Sequence, residues 1–417
     1  MFAESEFSVF DFVSSISEVI DLVSPDLNNH HKKVAYISYN IAKEMNLPDD
    51  EISDIVLAAI LHDIGVFTDE ERVQIKLASF DNSDFDQHSI IGYKLLRNFE
   101  PLSNSAVIIK YHHAHYDESN SEVPLGSYVV HLADRLSVLL DDGAEILKQV
   151  PKVMAAINER QSIFHPGSLD ALCRLTGYEY FWIEISSLPL NYILPERMRS
   201  TKKIIDLVLL RSFAKLIACI IDFRSRFTST HSSGVAAVAL ELTIISGFSK
   251  RECKLMEIAG FLHDLGKLAI SSDILEKNAT LTHEEFNEMR KHTYYTYVVL
   301  NRIKGLEQIS TWAAYHHEKL NGRGYPFHVK GEDFSKLARI MAVADIVTAI
   351  TEDRPYRLGM NSEEAIRILS NMVEREEIDK GIVDIVRENF SRINETRIKA
   401  QQDALQEYIA FYSTPAV

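Results

Sequence analysis

Phe261-Leu262-His263-Asp264-Leu265-Gly266-Lys267 and, further on, Tyr315-His316-His317-Glu318-Lys319-Leu320-Asn321-Gly322-Arg323-Gly324-Tyr325-Pro326 decide how this chain is read. In the first stretch an adjacent His and Asp close an apolar helical run, and both can leave one turn toward the same point. A carboxylate can bridge two cations, which an imidazole cannot. In the second, paired His lead into a loop punctuated by Gly and Pro, which stops a helix and wraps over whatever those His hold. Nitrogen and oxygen donors without a thiolate suit Fe, Mn or Zn better than a soft metal.

The same landmarks occur earlier in the chain. His30, followed by Val34-Ala35, parallels His231, followed by Val235-Ala236. His30 and His62 lie 32 positions apart, as do His231 and His263. Leu61-His62-Asp63-Ile64-Gly65 echoes Leu262-His263-Asp264-Leu265-Gly266. His88 and His112 are 24 apart, as are His292 and His316; Tyr111-His112-His113 echoes Tyr315-His316-His317, and Ala133-Asp134 echoes Ala344-Asp345. These positions absorb ten of the 16 His, so an internal duplication explains most of the histidine.

A chain of 417 residues has room for two domains with real cores. Apolar residues three or four apart, few alternating β-branched runs, and only 16 Gly and 11 Pro predict an all-α protein of two tandem helical bundles. The expected division is 1–199 and 200–417. The first bundle is expected to reach about residue 150, with Pro151 to Arg199 adding helices that finish it. A long apolar helix is expected from Lys202. Ser249-Lys250-Arg251-Glu252 reads as a capping box opening the helix that ends at His263. Another helix is expected from Ser362, and the charged tail to Tyr412 as a final amphipathic helix.

The formal net charge of −16 argues against a general nucleic-acid surface, so DNA is not an expected partner. A small phosphate ligand stays compatible, because metal ions supply positive charge locally. Cys173, Cys219 and Cys253 form no CxxC pair and read as reduced core residues. Glu4 and Glu6 without a basic stretch predict no secretory leader, hence a cytoplasmic location. Ile204 to Ile221 is interrupted by Asp206, Arg211 and Lys215, which makes it a buried helix and not a membrane span.

The HDxGK-type stretch at His263 and the HHExxxGxGYP-type stretch at His316 resemble the HD-GYP branch of the HD phosphohydrolase superfamily. That resemblance implies one metal held by His231, His263, Asp264 and Asp345. It implies a second held by His292, His316 and His317, with Asp264 bridging. Two divalent ions, Fe, Mn or similar, are thus expected in the C-terminal domain. Lys267 would neutralise charge on the phosphate, so Asp264 and Lys267 are the catalytic candidates. Tyr325, Arg354 and Arg357 would join Lys267 in contacting the nucleotide. Asn321 and Thr348 stand where the family usually has Asp, and the Glu that helps hold a third metal in some members is missing before His231.

In the first half His30, His62, Asp63, His88, His112, His113 and Asp134 keep the whole implied ligand set. Val66 replaces the lysine, no Gly-Tyr-Pro loop follows His113, and Asp117, Glu118 and Glu122 line the connection. A further metal is expected there, with a 5′-nucleotidase or a structural role both open. The implied function is hydrolysis of cyclic di-GMP or 3′,3′-cyclic GMP-AMP to a linear 5′-phosphorylated dinucleotide. A cyclic-dinucleotide sensor and a general HD nucleotide phosphohydrolase are the alternatives. A homodimer, and a signalling-protein partner at the Gly322–Pro326 loop, also stay open.

Overall fold

The computed structural model describes residues 6–21, 29–66, 87–186, 190–199, 203–223, 230–353 and 357–413. Among these, helices dominate, and the one sheet pairs the two-residue strands Phe7–Ser8 and Ile204–Ile205. The chain divides into two compact units. One covers Ser8–Ile204; the other runs from Ile205 and takes in Phe7.

In the second unit Asp206 accepts hydrogen bonds from the Val208 and Leu209 amides and starts the helix Leu207–Phe223, a few residues later than expected from Lys202. Leu210, Phe213, Ala214, Ile217 and Ile221 are buried along it while Arg211 faces out, the amphipathic pattern read from the sequence. No helix is long and apolar enough to cross a membrane among the described residues. The Ser249–Glu252 capping box forms as expected and opens Lys250–Leu262. Asn361, one residue before the expected start, caps Ser362–Glu374. The helix His231–Ile245 is the centre of this unit, packed by Lys250–Leu262, Lys336–Thr351 and the tail helix Phe390–Ser413.

In the first unit, His30–Glu44, Asp49–Leu61 and Leu125–Val138 pack against one another in the same way. The added helices do not begin at Pro151, which lies inside Ile146–Glu159. That helix starts earlier because the Glu145 carboxylate accepts from the amides of Leu147 and Lys148. Glu179–Ser186 and Leu190–Arg197 then fold back onto His30–Glu44. The Phe181 ring stacks on Tyr36 at 6.0 Å, and Arg197 bonds Asn40 and Glu184 at 2.9 and 2.6 Å. Cys173 is exposed, contrary to the expected core position, because it sits on the outer face of Pro166–Leu175; Cys253 is buried.

Candidate functional site

Six separate pieces of local structure bring the expected C-terminal donors together. His231 is the first residue of its helix, and His263 caps the end of Lys250–Leu262. Asp264 follows, just before the tight turn Leu265–Ala269. His292 lies within His283–Asn301, His316 and His317 in the turn Tyr315–His317, and Asp345 in Lys336–Thr351. The donor atoms of His292, His316 and His317 all lie within 4.8 Å of one another, and so do those of His231, His263 and Asp264. Asp264 faces both groups, with Oδ2 3.1 Å from His263 Nε2 and Oδ1 3.5 Å from His292 Nε2. Asp345 Oδ1 is 3.3 Å from His231 Nε2.

The donor chemistry fits divalent cations. His263, His292 and His316 each donate Nδ1–H to a backbone carbonyl, of Gly260, Met289 and Ala313, at 2.8, 2.6 and 2.6 Å. A carbonyl cannot donate, so each ring holds a proton on Nδ1, and at His292 and His316, which burial keeps neutral, Nε2 presents a lone pair. The Nε2 atoms of His292 and His316 then face each other at 3.2 Å. Burial lowers His292 to about 3 and holds His316 well below its usual value, so neither carries a proton that could bridge them. Two buried lone pairs at that distance repel, and a cation between them resolves the conflict. Burial opposes the charge on Asp264, but His263 and Lys267 outweigh it and hold the carboxyl far below its usual range.

Around this core, Lys267 Nζ sits 2.6 Å from Asp264 Oδ2. The Tyr325 ring lies 5.0 Å from that of His317, and the Arg290 guanidinium is 4.8 Å from the Tyr325 ring centre. Arg357 donates instead to the Ala349 carbonyl at 2.6 Å. Arg354 lies outside the described residues. Asn321 is used inside the loop, accepting from the Arg323 amide and donating to the Arg375 carbonyl, both at 3.0 Å. Thr348 is turned back to the Ala344 carbonyl at 2.8 Å.

Three contributors escaped the sequence reading. Glu318 is buried and accepts from the amides of Phe327, His328 and Val329 at 2.6, 3.0 and 3.1 Å, pinning the loop after Pro326. Glu352 Oε2 lies 3.1 Å from His231 Nδ1 and orients that ring. Its spacing of seven from Asp345, two helical turns, was the available signal. Arg290 precedes His292 by two and follows Phe286 by four, a pairing visible only as i, i+4 spacing.

The first unit assembles its own donors. Asp63 Oδ2 is 3.2 Å from His62 Nε2 and Oδ1 is 3.5 Å from His88 Nε2. His88, His112 and His113 form one group, with Nε2–Nε2 distances of 3.3 and 3.1 Å from His88. His30, His62 and Asp134 form the other, and His30 Nε2 is 3.3 Å from Asp134 Oδ1. Arg135 occupies the remaining Asp134 oxygen at 2.5 Å. Val66 is buried where the second unit has its lysine.

Both halves of the chain are similar to known proteins. Family models described as HD domain match residues 28–139 and 215–382. The 3′3′-cGAMP-specific phosphodiesterase 1 of Vibrio cholerae is 27% identical over 389 residues, 90% of each chain. The 3′3′-cGAMP-specific phosphodiesterase 3 of the same species is 35% identical over 150 residues, 36% of this chain and 33% of that one. A cyclic di-GMP phosphodiesterase of Pseudomonas aeruginosa is 37% identical over 142 residues, 34% of each. The crystal structure of a Vibrio cholerae cyclic GMP-AMP-specific phosphodiesterase shares the fold, with TM-score 0.62 and 19% identity over 96% of this chain and 98% of that one. The fold and the paired His-Asp sites define a tandem of two HD domains. The chain belongs to the HD-domain family, with one such domain in each half.

Proposed function

We propose that this protein is a metal-dependent phosphodiesterase that opens a cyclic dinucleotide, 3′,3′-cyclic GMP-AMP first and cyclic di-GMP second, to the linear 5′-phosphorylated dinucleotide. The observation that carries this is Asp264, whose two oxygens face two separate groups of imidazoles while Lys267 stands beside it. The relative matched over 90% of both chains supports the order of substrates, since its name specifies 3′3′-cGAMP.

His231, His263, Asp264 and Asp345 would hold one divalent cation, and His292, His316 and His317 the other, with Asp264 shared. Two such cations supply charge for the phosphodiester and a water acidic enough to attack at neutral pH. Lys267 holds a positive charge at Asp264, where a phosphate oxygen arriving beside that carboxylate gains an ammonium partner. Tyr325, braced by Arg290 and by the Glu318-pinned loop, offers a flat face to a base. Arg357 joins it only by leaving the Ala349 carbonyl. The first unit is assigned no ring-opening role, because it lacks the lysine and the loop.

The test incubates the full chain with cyclic di-GMP and both isomers of cyclic GMP-AMP and separates the products by chromatography. Linear dinucleotide from the 3′,3′ isomer, lost in His263→Ala/Asp264→Ala, supports the reading. Intact substrates throughout, or substantial cleavage by the double variant, overturns it.

A further inference from the structure

The two units differ at one coupled pair of positions. In the second, Asp222 accepts from Ser232 Oγ at 2.8 Å and from the Ser232 amide at 3.2 Å, and Lys267 reaches Asp264 Oδ2. Asp21 stands nine residues before His30 as Asp222 stands nine before His231. In the first unit the residue in the place of Ser232 is His31, and the residue in the place of Lys267 is Val66. Asp21 Oδ1 is hydrogen-bonded to His31 Nδ1, and both side chains are buried. A carboxylate cannot donate, so Nδ1 is the donor to Asp21 and Nε2 is the nitrogen left for a metal.

That nitrogen is placed among the first unit's donors. His31 Nε2 lies 4.0 Å from Asp63 Oδ2, the oxygen whose counterpart in the second unit meets the lysine. The donor atoms of His31, His62 and Asp63 lie within 4.8 Å of one another. The rings of His30, His31 and His62 form a near-equilateral triangle, with centroid separations of 5.5, 5.3 and 5.3 Å. A gap of 4.0 Å is too long for a hydrogen bond, yet two donors each about 2.1 Å from one cation can stand that far apart. His62 has a single nitrogen left for a metal, Nε2, because its Nδ1 donates to the Ala59 carbonyl at 2.8 Å. The groups His30/His62/Asp134 and His31/His62/Asp63 therefore share one donor and surround one position.

We infer that His31, oriented by Asp21, is a ligand of the first unit's metal position, which takes a divalent cation through His30, His31, His62, Asp63 and Asp134. The second unit's equivalent has four such donors and a lysine. The fifth donor occupies the coordination place that a water or phosphate oxygen would otherwise take, and closed sites hold metal where open ones turn over. The exchange of Ser232 for His31 and of Lys267 for Val66 thus converts one HD position from reactive to retentive.

The test uses the full chain carrying His263→Ala and His316→Ala, which removes one donor from each C-terminal group, and Co(II) as the probe. Affinity is read by chelator competition, coordination by the visible spectrum, and folding by circular dichroism without metal. His31→Ser should weaken the tighter Co(II) site by about 100-fold and raise its absorption as the coordination number falls; Asp21→Asn should weaken it by about tenfold. Unchanged affinity and spectrum in His31→Ser, or a parent chain that takes up no Co(II), overturns the inference. Should His31→Ser fail to fold, Asp21→Asn, which leaves every ring in place, decides by the same two readings.

Discussion

Gly266 is where the tight turn Leu265–Ala269, just after His263 and Asp264, crosses the helix carrying His292. A Cβ built there would lie 1.9 Å from the His292 carbonyl oxygen, 2.7 Å from its carbon and 2.8 Å from the Thr296 nitrogen. All three are backbone atoms, so no side-chain rotation relieves the clash. Reaching 3.0 Å requires the two backbones to part by about 1.1 Å, the difference between 3.0 and 1.9 Å. His292 sits at the contact, so the displacement falls directly on its 3.5 Å approach to Asp264 Oδ1. A misplacement of about 1 Å at a reacting centre costs on the order of 100-fold in rate. Gly266→Ala should therefore lower kcat/KM for ring opening by about 100-fold and reduce the metal held by the C-terminal unit. Elemental analysis after dialysis and a single-turnover assay check both effects. Wild-type metal content together with a rate within threefold would refute the claim that this crossing sets the bridge. Gly65, whose Cβ would lie 2.1 Å from the His88 carbonyl oxygen, makes the same crossing in the first unit.

Three further outcomes follow from the geometry. Lys267→Ala removes a cation but no metal donor, so kcat should drop by about 100-fold with metal content unchanged; metal loss in parallel would mean the lysine holds Asp264 in place instead. Glu318→Ala leaves three loop amides without their acceptor. It should cost about 2 kcal/mol in denaturant unfolding and raise KM more than it lowers kcat; an unchanged KM would separate the loop from the substrate. In the metal-free protein burial opposes the charge on His231, but Glu352 and Asp345 outweigh it and push the ring up to about 10. Its contribution to the metal-free fold is complete below the ordinary value near 6.5 and is lost as pH rises toward about 10. A metal must displace that proton, so the metal-induced rise in Tm should grow with pH between 7 and 9, with proton release seen by calorimetry in two buffers. A rise in Tm that shrinks with pH, without proton release, would contradict this.

Much of the site was legible because its signals are local. An adjacent His-Asp at a helix end and an adjacent His-His before a Gly-Pro loop are fixed by chain connectivity, and they recur at equal spacing in both halves. Helix starts were legible where a side chain meets its own backbone, as at Ser249 and Glu252. The helix Ile146–Glu159 was misplaced because its cap is a glutamate, Glu145, outside the usual Ser, Thr, Asp and Asn caps. Cys173 shows the same limit: its residue type favours burial, but the rotation of Pro166–Leu175 decided its face.

By itself the sequence determined that two helical units each carry a paired His-Asp donor set, because motif order and spacing are properties of the chain. Only the tertiary structure decided which oxygen of Asp264 faces which imidazoles, that Glu352 orients His231, and that Arg357 turns to the Ala349 carbonyl. It alone set His31 between Asp21 and Asp63, since two histidines side by side in a string look alike until packing gives each a direction. Donor identity is covalent, but convergence depends on how the elements cross, and at Gly266 the crossing of a turn over a helix is settled by the absence of one methyl group.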